Sequence, residues 1–223
     1  MNNTSQTLRF WTKSLGLSLG VFIFWLAYVF IQEGFTVTAT SYSEVIAATG
    51  AVMIGLSFAL SSLSYFFDFA DRQLVYRKYF GLVGYFYALW YSVMLMFIFP
   101  QTYAFGLAEN LFTPNVLLGL GAMAILTFMA LISNGIAVKI IGPLWWRRCL
   151  RLGYLAYAMF VVRAIYIEWD IWTTWAAQLD NVPPLRLIIS IYATLIIAVR
   201  VWMGILQWAK KRADQQPQML PEV

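Results

Sequence analysis

Residues 45–67 read VIAATGAVMIGLSFALSSLSYFF, and residues 68–78, immediately after, read DFADRQLVYRK. The first stretch carries no charged side chain over its twenty-three positions. A helix of roughly 20 apolar residues crosses a hydrocarbon core of about 30 Å. Lipid offers no partner to backbone N–H and C=O groups, so such a stretch must satisfy them internally, as a helix does. The second stretch is a charged turn. Outward from this pair the same alternation repeats, with further apolar runs at residues 15–32, 79–99, 116–133, 146–167 and 185–208. The sequence therefore predicts an all-α, polytopic membrane protein, a bundle of six transmembrane helices.

The charges between the runs set an orientation. Twelve of the 15 basic residues fall in alternate connections: Arg9 and Lys13 before the first run, Arg72, Arg77 and Lys78 after the second, Lys139, Arg147, Arg148 and Arg151 around the start of the fifth, and Lys210, Lys211 and Arg212 after the sixth. The opposite connections hold Arg186 alone among cations, with Glu33, Glu44, Glu109, Glu168, Asp170 and Asp180. Cytoplasmic loops collect Lys and Arg, so this pattern predicts both termini in the cytoplasm, N-in and C-in.

With 223 residues, 61% of them hydrophobic, and a mean hydropathy of +0.71, the composition agrees with the membrane class. The expected division is a short cytoplasmic N-terminus over residues 1–14, a six-helix domain over 15–208 and a disordered cytoplasmic tail over 209–223. The first run is too long for a signal-peptide core and is read as a retained helix. The net charge of +5 is read as the orientation signal plus attraction to anionic lipid headgroups. The partner it implies is the lipid bilayer, not nucleic acid.

Aromatic residues cluster where the runs meet their connections, as interfacial belts do. Trp25, Trp90 and Trp202 lie deeper and are expected to face either the protein interior or lipid. Trp169, Trp172 and Trp175 recur every three residues beyond the fifth run, near Asp170, Asp180 and Asn181. They predict a short separate helix lying in the interface. Gly16 and Gly20 form a GxxxG pattern, which permits close helix packing.

The chemistry is defined by what is missing. The chain has no histidine, which removes imidazole bases, the usual zinc sites and bis-histidine haem. Cys149 is the only cysteine, so neither an intrachain disulfide nor a thiolate cluster forms. No Asp or Glu lies inside any of the six runs. Two cations lie in the interior of a run, away from those at its start: Arg163 in the fifth and Arg200 in the sixth. A charge in hydrocarbon is costly, so each is expected to snorkel or to find a partner. For Arg163 the candidates are Glu168 or Asp170 outward, or Tyr91 or an anionic group inward.

Residues 49–96, TGAVMIGLSFALSSLSYFFDFADRQLVYRKYFGLVGYFYALWYSVMLM, and residues 133–167, SNGIAVKIIGPLWWRRCLRLGYLAYAMFVVRAIYI, carry a resemblance. Thr49-Gly50, Arg77-Lys78, Phe80-Gly81-Leu82 and Tyr87-Ala88-Leu89 follow one another in the first. Ser133, Gly142, Trp146, Arg151-Leu152 and Tyr154-Leu155 do so in the second, and Ala198-Val199-Arg200 comes later. In this order they resemble the ferric reductase-like transmembrane domain, and are most similar to the haem-bearing membrane subunit of the bacterial methionine sulfoxide reductase system.

The resemblance implies a six-helix haem-binding bundle of a bacterial inner membrane working with another membrane or periplasmic redox subunit. It also implies where haem ligands would stand, and there this chain departs from the pattern. Tyr91 occupies the helix-three position, Cys149 or Leu150 the inner helix-five position, and Arg163 the outer one. No haem b is therefore expected. Tyr91 and Arg163 would face each other across a vacated pocket, within the cation–π range of about 6 Å.

Three readings follow. One is a haem-free, non-catalytic membrane subunit or scaffold that binds a lipid, a quinone or a partner helix. A second is an electron-transfer subunit of a reductase system. A third is a small transporter, resting on the two intramembrane arginines.

Overall fold

Thr38 begins the central helix by accepting the Ser41 N–H on its side chain, the usual way a helix satisfies its first free donors. In this computed structural model, which describes residues 3–64, 73–101, 103, 106–133, 135–179 and 182–214, the chain forms helices α1 (Asn3–Gln32), α2 (Ala39–Leu63), α3 (Tyr76–Ile98), α4 (Leu107–Asn110), α5 (Pro114–Ile132), α6 (Gly135–Ile141), α7 (Pro143–Leu150), α8 (Leu152–Gln178) and α9 (Leu185–Asp214). Among the described residues there is no strand. Six helical stretches are long and apolar enough to cross a membrane: α1, α2, α3, α5, α7 with α8, and α9. The protein is an all-α integral membrane protein.

The α2 helix sits at the centre and packs against α1, α3 and α9, while α8 packs against α5 and α9. Centrality shows in its burial: Val45, Ile46, Ala48, Ile54 and Phe58 turn in different directions and all are buried. Small residues let its neighbours approach. A Cβ on Gly84 of α3 would stand 2.9 Å from the Gly50 carbonyl oxygen and 2.8 Å from the Ile54 nitrogen. On another side, Tyr157 of α8 donates to the Ala51 carbonyl at 2.8 Å and Tyr192 of α9 to the Val52 carbonyl at 3.2 Å. Both rings lie over Gly55. The outer surface of the bundle is apolar, with Leu19, Ile23, Phe86, Phe97, Leu155 and Ile191 exposed as a lipid-facing surface requires.

Several expectations are corrected. The first helix ends at Gln32, as the run predicts, but it begins at Asn3, so it also takes in most of residues 1–14. The Trp169–Trp175 stretch is no separate interfacial helix: α8 continues through it to Gln178 and stops where Leu179 turns left-handed, with φ 51°. Neither proline nor glycine interrupts residues 154–178, so nothing breaks the hydrogen-bond ladder there. The fifth span is instead divided at its other end, where Gly142 (φ 82°) and Pro143 separate α6 from α7 and Arg151 separates α7 from α8. The last helix continues to Asp214, beyond the expected start of the tail, and the rest of the tail lies outside the described residues. So do Arg72, Asp68 and Asp71 of the charged turn, and Asp180 and Asn181. Gly16 and Gly20 make no close helix contact, since a Cβ at either would meet nothing within 4 Å. The packing face of α1 is formed instead by Ser14, Ser18, Trp25 and Val29, which are buried. Trp90 and Trp202 face outward.

Candidate functional site

Two cavities are stacked between the helices that surround one side of α2. The outer one, near the end of the bundle rich in acidic residues, has a volume of about 150 Å³. Its walls come from α2, α3, α5 and α8, and small side chains (Ala47, Ala51, Ala88, Gly119, Ala122, Ala156) create the space. Met96 and Leu120 line it while remaining exposed on the bundle surface, so it adjoins the lipid-facing side of α3 and α5. Its polar groups are few: Tyr91, Ser92, Tyr103, Asn115, Tyr157 and Arg163.

Arg163 is the charge among them. It is half-buried and held by its Nε, which donates to the Asn115 side-chain oxygen at 2.7 Å and to the Asn115 carbonyl at 3.2 Å. Its Nη2 donates to the Tyr103 hydroxyl at 3.2 Å. Asn115 stands in the first turn of α5, just after Pro114, and Tyr103 lies in the connection preceding it. Arg163 thus neither snorkels to Glu168 or Asp170 nor stacks on Tyr91. Tyr91 does line the same cavity, but among the described residues no guanidinium–ring contact joins the two.

A smaller space of about 30 Å³, also lined by Tyr91 and Arg163, reaches Glu44 and Arg186. Here an ion-paired group crosses three helices. Arg186, near the start of α9, bridges Glu44 of α2 at 2.8 Å and Glu168 of α8 at 2.7 Å. Glu168, only 7% exposed, also accepts from the Trp172 indole at 3.0 Å. The sequence places these residues at run ends and in connections; the longer α2 and α8 put both carboxylates inside helices. Two charges of opposite sign, 142 positions apart in Glu44 and Arg186, carry no sequence signal of their pairing.

The inner cavity, at the basic end, has a volume of about 410 Å³. Phe58, Leu82, Leu126, Met129, Trp146 and Leu150 form much of its apolar wall, and Arg77 and Lys78 stand on it from α3. Leu150 is therefore the inner helix-five position that borders a cavity, while half-buried Cys149 does not line one. Arg200 lies outside both cavities, its guanidinium 5.6 Å from the centre of the Tyr154 ring.

The donors around these spaces do not fit a b-type haem. At the vacated ligand positions Arg163 and Leu150 offer iron no usable lone pair and the chain has no imidazole, so the bis-histidine ligation that the resemblance implies does not fit. Among the described residues no three His, Cys, Asp or Glu side chains converge as metal ligands. The outer cavity can instead present cationic and hydroxyl donors to a ring-sized polar group while its walls bury an apolar body. Comparison with protein-family models and with curated proteins returns no match for this chain.

Proposed function

We propose that this integral membrane protein is a non-catalytic, haem-free subunit or scaffold of ferric reductase-like ancestry, which binds the head of a membrane-dissolved quinone in its outer cavity. In this reading it lies in a bacterial inner membrane with both termini cytoplasmic, beside a redox partner. The observation that carries the ligand class is Arg163 at the wall of a space of about 150 Å³, the size of cavity that accommodates a benzene ring. A quinone carbonyl accepts hydrogen bonds and carries no charge, so it suits a guanidinium already steadied by Asn115 and Tyr103. Exposed Met96 and Leu120 on the cavity wall support entry from the lipid side.

The test uses the full chain purified in mild detergent, with binding of a short-tailed ubiquinone followed by tryptophan fluorescence quenching. Saturable binding is expected, weakened on the order of tenfold by Arg163→Met, the loss of one charge-assisted hydrogen bond. Ala122→Phe, which fills the space without touching the polar groups, should weaken it as well. Quenching that neither saturates nor responds to either variant would refute the assignment.

A further inference from the structure

We infer that the inner cavity is a separate binding site for an anionic phospholipid, with Arg77 and Lys78 taking the phosphate and the apolar wall taking an acyl chain. This does not depend on a quinone in the outer cavity, since it rests on other residues at the other end of the bundle.

The space is about 410 Å³, within the roughly 300–1,000 Å³ typical of ligand pockets. Among the described residues its lining is asymmetric in charge: two cations and no carboxylate. Among the described residues both ion pairs belong to Arg186, far away at the acidic end. Arg77 is half-buried, and besides Lys78 a further cation, the Arg200 guanidinium held over the Tyr154 ring, acts on it. That ring stacks on Phe58, which lines the cavity, at 4.5 Å between centroids. Lys78 is exposed at the cavity mouth, whereas Arg77, half-buried beside a second guanidinium, is costly until an anion joins it. Charge complementarity therefore specifies an anionic occupant.

The position of Arg77 is built rather than incidental. Ser57 of α2 donates its hydroxyl to the Arg77 carbonyl at 2.8 Å, pinning the first turn of α3 against α2. One turn on, Gly81 leaves room beside that contact, since a Cβ there would come within 3.2 Å of the Ser57 oxygen. Below the cations, Leu82, Leu126, Met129 and Trp146 continue as apolar wall. Inorganic phosphate would satisfy the charges and leave that wall unfilled. A phospholipid satisfies both, with phosphate at the headgroup level, where long basic side chains meet it.

The test incorporates the full chain into nanodiscs of phosphatidylcholine containing a minor fraction of phosphatidylglycerol, then measures by native mass spectrometry the lipids that stay with the protein. Retained phosphatidylglycerol should exceed its bulk share by on the order of tenfold, as one or two charge-assisted contacts allow. The R77Q/K78Q variant should return to the bulk ratio. K139Q, which removes an exposed cation of α6 that does not line the cavity, should keep the enrichment. Ala130→Trp, which fills the cavity with both cations intact, should abolish it, and decides the matter if R77Q/K78Q fails to fold. The inference is overturned if the wild type retains lipids in bulk proportion, if R77Q/K78Q or Ala130→Trp retains them as the wild type does, or if K139Q loses as much as R77Q/K78Q. Displacement of the lipid by inorganic phosphate alone would overturn the lipid in favour of a soluble anion.

Discussion

Arg186 of α9 reaches Glu168 of α8 at 2.7 Å, and the same guanidinium reaches Glu44 of α2 at 2.8 Å. One cation thus ties together three helices at the acidic end, with the Trp172 indole closing the remaining side of Glu168. Removing Arg186 leaves two carboxylates facing one another, one of them almost fully buried. The Arg186→Met variant should lose about 3–5 kcal/mol of stability. Substituting both members, as in R186M/E168M, should recover part of that loss, because the uncompensated buried charge goes with its partner. Thermal unfolding in detergent measures both, and strictly additive losses in the double variant would contradict the coupling.

Gly55 lets two tyrosines reach the backbone of α2. A Cβ there would come within 2.6 Å of the Tyr157 hydroxyl and 2.5 Å of the Tyr192 ring. Gly55→Ala should therefore displace both rings and destabilise by about 1–3 kcal/mol through overpacking. Tyr157→Phe, which loses only the bond to the Ala51 carbonyl, should cost about 1 kcal/mol. A Gly55→Ala protein as stable as wild type would show that the rings have room to yield.

Glycines of similar sequence appearance should respond in opposite ways. Gly84→Ala drives a methyl into the Ile54 side chain at 2.6 Å and into the backbone of α2, and should cost about 1–3 kcal/mol. Gly16→Ala and Gly20→Ala meet open space. Each should be neutral or should stabilise by up to about 1 kcal/mol, the difference in helix propensity. Chemical unfolding in mixed micelles separates the two groups, and equal losses at Gly16 and Gly84 would contradict the packing of α1.

The iron-binding question has a direct optical readout. Protein expressed with ample haem and purified in mild detergent should show no Soret band at stoichiometric intensity, because Arg163 and Leu150 cannot ligate iron. A stoichiometric Soret band, surviving exchange of the detergent, would overturn both the donor-set argument and the non-catalytic reading.

The helices were legible because their signal is local. Residues 45–67 announce a spanning helix by composition alone, and α2 covers most of that run. Their ends were less legible. The α8 helix continues past Ile167 because nothing in the Trp169–Trp175 stretch interrupts a helix, although its polar residues read as a connection. Arg163 was conspicuous as a charge within an apolar run. Its partners Asn115 and Tyr103 were not, because one polar side chain near a helix start and one tyrosine in a connection look ordinary until α5 and α8 are brought together.

Membrane class, helical content and the number of apolar spans were set by the sequence alone, since a hydrocarbon core tests each window of roughly 20 residues for apolarity and internal hydrogen bonding, whatever lies elsewhere in the chain. Which face of each helix turns inward was decided only by the tertiary structure. A membrane helix is apolar towards lipid and towards its neighbours alike, so hydrophobic periodicity does not distinguish the two. Gly16 and Gly20 therefore face outward while Gly50, Gly55 and Gly84 sit at close contacts. The Arg186 network and the two cavities likewise arise only when α2, α3, α5, α8 and α9 are packed together, because their groups come from distant parts of the chain.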